Sequence, residues 1–492
     1  FKEDFKKKSI GFKKRAIEAL PTTDERTIHF IIKGKKLLQS KDWWIRGTAC
    51  DRLARIQVAE LRKVLHSYYY KESNVQIREG VITALGMIKH RADPPVILDA
   101  LKDKAWQVRR MACIAAGQQR IKDAVPIMID MIHEEDRAGN VLNKGEPHPR
   151  VHNMVLWNLW DIVGKNFDAD RQQWKMYWAE NKDKQLQPPK RFDYGTFAGV
   201  KLKYNDTFAR RGTGPLCIVL PQVHYTAVYY MPYFSQITFM KWIFVDLPPM
   251  GAFPNVERDR DGDVIYPIDQ LVDAFEDMRK KYNVDRAAIL AQGFSTWIAA
   301  KYAQKYPDHV LGLILLNAYA SNETFSKRID ELLRSDNPDY ELWAKVSRKL
   351  IRPGSALEWE RYNYVRDTAK LKDTSDVEIQ FLRRIWRDPT GVTIMIPDFD
   401  IRGERTTQVP TLLFFAPKSN IATGIDGMRR MRRYYKNAYT VRLKQSARLP
   451  FMEEPEKFTE FLKKFRDDKL MPRLLKDEAK EAKRRQKEAT EK

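Results

Sequence analysis

The sequence predicts a two-part protein: an all-α helical repeat array, then an α/β domain with a mostly parallel sheet. Three observations carry this. A short motif ending in arginine recurs in the first third of the chain. Continuous apolar runs of strand length alternate with amphipathic helices from about residue 192 onwards. A proline-marked segment separates the two patterns.

The chain has 492 residues, too many for one ordinary core and enough for two or three domains. Its 43% hydrophobic content is that of a folded protein, and no run approaches the length of a membrane-spanning helix. Three cysteines, Cys50, Cys113 and Cys217, are too few and too odd in number for a disulfide framework. The formal net charge of +23 favours anionic partners, whether nucleic acid, a lipid surface or acidic proteins.

Residues 1–20 read as a basic amphipathic segment, with Phe5, Ile10, Phe12 and Ile17 among lysines and arginines. Residues 21–184 hold the repeats. The segments Asp42-Trp43-Trp44-Ile45-Arg46, Asn74-Val75-Gln76-Ile77-Arg78 and Ala105-Trp106-Gln107-Val108-Arg109 are each followed by small and apolar residues at matching offsets. Their arginines are 32 and then 31 residues apart. A fourth copy, Pro149-Arg150-Val151-His152, comes later because residues 134–147 read as an insertion. Each copy leads into a second apolar helix, and stacked helix pairs bury a core that one pair cannot. Residues 185–191 form the linker. The next segment, 192–466, holds the apolar runs Leu216–Leu220, Trp242–Leu247, Ala287–Ala291, Val310–Leu316 and Thr411–Phe415, as expected of buried parallel strands. Residues 467–492 are a charge-dense tail.

The repeats resemble the short HEAT repeat, with the arginine opening each first helix. That resemblance implies a structural arginine that ties one repeat to the next. The α/β region resembles the α/β-hydrolase fold. The similarity rests on Ile298 to Val310 after the nucleophile position, Val409 to Leu413 before the acid, and Leu449 to Phe458 after the base. Residues 320–405 then fall where that fold inserts a helical cap. A hydrolase of this fold needs a nucleophile on a sharp strand-to-helix turn, written G-x-S-x-G. Here the turn reads Ala291-Gln292-Gly293-Phe294-Ser295, which places Gly293 at the nucleophile position. The acid position falls at Ser419 and the base position at Arg448, and arginine stays protonated and cannot serve as a base. The loop Pro221-Gln222-Val223-His224 lacks the glycines that present N–H groups to an oxyanion.

Weaker signals have plain structural readings. Asp259 to Asp263 resembles the start of a calcium loop, but its later ligand positions are Val264 and Gln270. His148 and His152 flank Pro149 and are expected to bind no metal. No cofactor is expected. Arg429, Arg430, Arg432, Arg433, Lys436, Arg442 and Lys444, interleaved with tyrosines, form a candidate basic contact patch.

The sequence thus leads to one functional expectation, a non-catalytic scaffold or accessory subunit of a larger protein assembly. Its partners would be other subunits, with an anionic surface (nucleic acid or lipid head groups) as a further contact. A ligand-binding pseudo-hydrolase and an active serine hydrolase with a different triad, for example one using Ser295, are the alternatives. A start at Phe1 fits a processed chain, favouring periplasm or an organelle over cytoplasm.

Overall fold

A computed structural model describes residues 8, 10–40, 43–87, 90–135, 141–143, 145–146, 148–187, 189–222, 226–248, 250–257, 266–318, 408–416, 431–444, 446 and 449–490. The region read as a helical cap, and the Asp259 to Asp263 segment, lie outside them. Two compact units divide the chain between Lys190 and Arg191.

The first unit is helical. Helix α1 (Ile10–Glu18) and α2 (Glu25–His29) precede four helix pairs: α3 (Trp43–Ala54) with α4 (Ala59–Lys71), α5 (Val75–Met87) with α6 (Pro94–Ala100), α7 (Trp106–Gln119) with α8 (Ala124–Asp130), and α9 (Pro149–Val163) with α10 (Arg171–Asn181). The first helices of the pairs stack in sequence, α3 on α5, α5 on α7 and α7 on α9, and α1 packs on α3. Their buried faces are mostly apolar, with Val81, Leu85, Ala112, Ala116, Val155 and Leu159 all buried beside the polar Thr83, Arg110 and Asn158. Close approach of α7 and α9 depends on Gly117: a Cβ there would lie 2.1 Å from the side-chain oxygen of Asn158. Trp174 closes the last pair, its indole N–H donating to the Asp168 carbonyl.

The repeat arginine has a fixed task in α5 and α7. In Arg78, Nη1 donates to the carbonyls of Glu72 and Ser73, while Nε and Nη2 grip the Asp103 carboxylate at 2.8 and 3.0 Å. Arg109 repeats the pattern one step on, donating to the Asp103 and Lys104 carbonyls and pairing with Glu146 at 2.6 and 2.8 Å. Each guanidinium thus ties the loop before its own helix to the loop before the next first helix. The segment that reads as an insertion forms a short hairpin (Glu134–Glu135 with Val141–Asn143), and Glu146 after it supplies the carboxylate for Arg109. A second pair lies between helices: Arg62 and Asp93, both fully buried, with Nε to Oδ1 at 3.0 Å, and His66 also on Asp93. Arg62 also caps the Ile56 carbonyl.

The second unit is built on an eight-stranded sheet: β1 (Asp193–Phe197), β2 (Val200–Asn205), β3 (Leu216–Leu220), β4 (Lys241–Asp246), β5 (Ala287–Gln292), β6 (Val310–Leu316), β7 (Thr411–Phe415) and β8 (Ala438–Arg442). Its order is β1-β2-β4-β3-β5-β6-β7-β8. Strand β2 runs antiparallel to both neighbours, and every other pairing is parallel. This order, with the second strand alone reversed, is that of the α/β-hydrolase fold. Strands β3, β5, β6 and β7 are buried at every residue, which explains why their sequences show no polar alternation. Helices α12 (Ile268–Lys281) and α13 (Ser295–Lys305) cover the sheet through Leu271, Val272, Phe275, Met278, Ile298 and Tyr302. The short α11 (Met231–Phe234) and α14 (Pro450–Glu453) precede α15 (Pro455–Phe465) and α16 (Met471–Thr490).

Candidate functional site

In this fold the chemistry stands where β5 turns into α13. The turn is present. Gly293 follows β5 with φ of +55°, and its N–H donates to the Leu316 carbonyl at 3.0 Å. Its carbonyl accepts from both the backbone N–H and the hydroxyl of Thr296, in the first turn of the helix. The left-handed backbone that would hold a nucleophile upright is therefore kept, without a side chain on it.

The space above Gly293 is taken. A Cβ built there would meet the Gln222 side chain at 2.9 Å (Cδ), 3.1 Å (Oε1) and 3.2 Å (Cγ). Gln222 belongs to the loop after β3, which in an active enzyme offers N–H groups to the oxyanion. Here the Gln222 N–H donates to the Tyr230 hydroxyl at 2.9 Å, and that hydroxyl donates to the buried Gln292 carboxamide at 2.5 Å. The nearest serine is spent in the same way. Ser295 is fully buried, and its hydroxyl donates to the Pro221 carbonyl at 2.5 Å.

Around this turn the packing is aromatic. Phe294 sits 5.5 Å from Trp297, and Tyr266 lies beside Phe294 and Phe253. Burial pushes the Tyr266 phenol far up, and its hydroxyl donates to the Pro248 carbonyl. On the other side Phe451 packs on Tyr230 at 4.8 Å and on Phe234 at 5.2 Å. The ends of β6 and β7 are tied by Asn317, whose side-chain oxygen accepts from the Ala416 N–H. The acid and base positions, Ser419 and Arg448, lie outside the described residues, as does His224.

Of the basic patch, Arg432 and Arg433 are exposed on a helical turn at residues 431–434, Lys436 on the turn that follows, Arg442 at the end of β8 and Lys444 just beyond it. Arg429 and Arg430 lie outside the described residues. The interleaved tyrosines divide: Tyr434 and Tyr435 are core, while Tyr439 is 44% exposed on β8. His148 stacks on the Trp106 ring at 4.0 Å. His152 is partly buried beside His133, and desolvation, with the His133 charge next, pushes its pKa down to about 4. Among the described residues no cluster of three or more histidine, cysteine or carboxylate side chains is arranged to hold a metal ion.

Sequence reasoning missed a cleft of about 410 Å³ between the first and second repeats, lined by Tyr69, Tyr70, Glu72, Arg78, Asp99, Lys102, Asp103 and Lys104. Tyr70 is 56% exposed there and donates to Asp99; partial desolvation, followed by that hydrogen bond, pushes its pKa up to about 12. Only the density of tyrosine at residues 68–70 marked this place in the sequence.

The chain thus joins HEAT-type repeats to an α/β-hydrolase fold. The HEAT-repeat family matches residues 34–105. Over 48 residues, 10% of this chain and 12% of that protein, it is 43% identical to a 1-acylglycerol-3-phosphate O-acyltransferase of Arabidopsis thaliana. Over 55 residues, 11% of this chain and 13% of that protein, it is 43% identical to a probable enzyme of the same name from Oryza sativa subsp. japonica. The chain therefore matches only about an eighth of the length of these relatives. Among solved structures, VinJ aligns with 57% of this chain and 100% of its own at 16% identity and a TM-score of 0.46. A proline iminopeptidase of Mycobacterium smegmatis aligns with 57% and 99% at 13% identity and a TM-score of 0.44.

Proposed function

We propose that this protein is a non-catalytic scaffold or accessory subunit of a larger assembly. The observation that carries the reading is Gly293: the strained turn of a hydrolase is kept, the reacting side chain is missing, and Gln222 fills the space it would need. The polar groups around the turn bond to one another, so the region serves as a core. The HEAT array adds an extended surface, the usual equipment for binding proteins along one face. The test is purification of the protein from its source at native abundance, with mass spectrometry of what co-elutes at low and moderate salt. Stoichiometric protein partners that survive moderate salt are expected. A lone monomer would overturn the reading.

The two short matches to plant acyltransferases support a second reading, acyl transfer or hydrolysis at this site by groups other than a Gly293 nucleophile. It predicts turnover of acyl esters, or acylation of a lysophosphatidic acid acceptor, by the purified chain. Such turnover, lost on Ser295→Ala with the fold retained, would displace the scaffold reading.

A further inference from the structure

Among the described residues, the basic side chains around β8 form a surface without a carboxylate partner. Strand β8 is the last strand of the sheet, paired only with β7 among the described residues. Arg432, Arg433 and Lys436 lie exposed just before it, and Arg442 and Lys444 at its far end. The cations stand at the two ends of this strand, roughly 17 Å apart across its five residues, and Arg442 lies on the sheet face opposite to Tyr439 because side chains alternate along a strand. No carboxylate occurs in residues 431–444. Among the described residues none of the five cations forms an ion pair, whereas Lys203, Arg210, Lys305 and Lys457 of the same unit do. Midway stands Tyr439, 44% exposed, with Phe465 beneath it at 6.1 Å and the Lys469 ammonium 4.8 Å from its ring centre.

We infer that this margin is a binding track for the sugar–phosphate backbone of a single-stranded nucleic acid. Unpaired cations spread along an edge match a linear polyanion, because each can displace condensed counterions from a phosphate. An exposed, backed tyrosine in the middle gives a base a ring to stack on, a sequence-tolerant contact. A lipid surface fits less well. A segment lying in a bilayer interface needs an apolar face beside its cations. Here Met431, Val441 and Leu443 point into the core, and Tyr439 is the sole exposed large apolar side chain described in residues 431–444. The inference does not depend on whether the domain turns over a substrate.

Because the whole chain carries a charge of +23, the test must separate this track from bulk charge. A short, mixed-sequence single-stranded RNA bearing a fluorophore is titrated with the full chain and read by anisotropy. Five phosphate contacts predict a slope of log affinity against log salt of about −3.5, an affinity loss of about 100-fold between about 50 and 200 mM salt. The variant Arg432→Gln, Arg433→Gln, Arg442→Gln, Lys444→Gln should bind at least about 30-fold more weakly at the lower salt, with a slope shallower by about 2.8. The control variant removes four exposed cations of the helical unit, Lys63→Gln, Lys102→Gln, Lys175→Gln and Lys182→Gln, and should retain most of the affinity and the slope. Tyr439→Ala should weaken binding about 5- to 100-fold with the slope unchanged, since stacking releases no ions. Thermal melting confirms that each variant is folded. Equal losses in the two quadruple variants would overturn the inference. So would no RNA binding by the native chain, including the case in which the track variant instead loses adhesion to mixed phosphatidylcholine–phosphatidylserine vesicles.

Discussion

Replacing Gly293 by alanine tests whether the turn is a relic held open by glycine and closed by Gln222. Two costs are expected. At φ of +55° a residue with a Cβ is disfavoured by about 1–2 kcal/mol. The new methyl group would also press on Gln222 at 2.9–3.2 Å, and because that side chain is flexible and partly exposed the crowding falls in the lower part of the range for interiors, about 1–2 kcal/mol. The sum is a loss of about 2–4 kcal/mol. The two parts separate in a double-mutant cycle. In a Gln222→Ala background the steric part disappears and the backbone part stays, so Gly293→Ala should then cost only about 1–2 kcal/mol, a coupling of about 1–2 kcal/mol. Urea denaturation of the full chain, followed by amide hydrogen exchange of peptides from the α/β unit, measures both. A Gly293→Ala variant as stable as the parent would refute the account of the turn. Equal costs in both backgrounds would leave the strain but remove Gln222 from the argument. Gly293→Ser should lose stability similarly and show no esterase turnover, because Gln222 stands where the hydroxyl would work.

Further predictions concern the helical unit. Asp93→Ala should cost about 3–5 kcal/mol, because it strands the fully buried Arg62 guanidinium, and a fall of under 1 kcal/mol by denaturant titration would contradict that. Arg109 and Glu146 should show a coupling of about 1–3 kcal/mol in a cycle of alanine variants, with little coupling between Glu146 and Arg78, which grips Asp103 instead. Acid should weaken the array through His152. Its folded pKa of about 4 lies below the unfolded value, so the unfolded chain binds the extra proton between about pH 6.5 and 4. That contribution is complete above about pH 6.5 and is lost on acidification, by about 3 kcal/mol at the lower end. Stability measured from pH 7 to 4 should therefore fall less steeply in His152→Gln than in the parent.

The sheet was legible because strands β3, β5, β6 and β7 are buried on both faces and so appear as unbroken apolar runs. The repeat arginines were legible because the same loop geometry recurs at a near-constant interval. Their partners were not. Asp103 and Glu146 lie 25 and 37 residues beyond their arginines, at an interval that the hairpin alters, so no fixed offset identifies them. Arg62 reads as a surface residue of an amphipathic helix, and only folding shows that it is sealed against Asp93. At the candidate site, Gly293 was readable from the residues that follow it. The filling of the site was not, since Gln222 is 71 residues away and reaches the turn only through the crossover from β3 to β5. The tyrosines of the basic patch looked alike in sequence, and the sheet margin decides which one faces outward.

The arginine pairs have a mechanical consequence. They bridge the loops at the starts of α5, α7 and α9, all on one rim of the stack, whereas the opposite ends of these helices are joined by hydrogen bonds to carbonyls, Gln119 to Leu85 and Arg120 to Ile162. One rim is therefore cross-linked by bidentate ion pairs and the other by single hydrogen bonds to carbonyls. Under a bending load such an array should open like a fan about the ion-paired rim. Both ion pairs are mostly buried, so added salt screens them little and that rim should keep its stiffness as ionic strength rises.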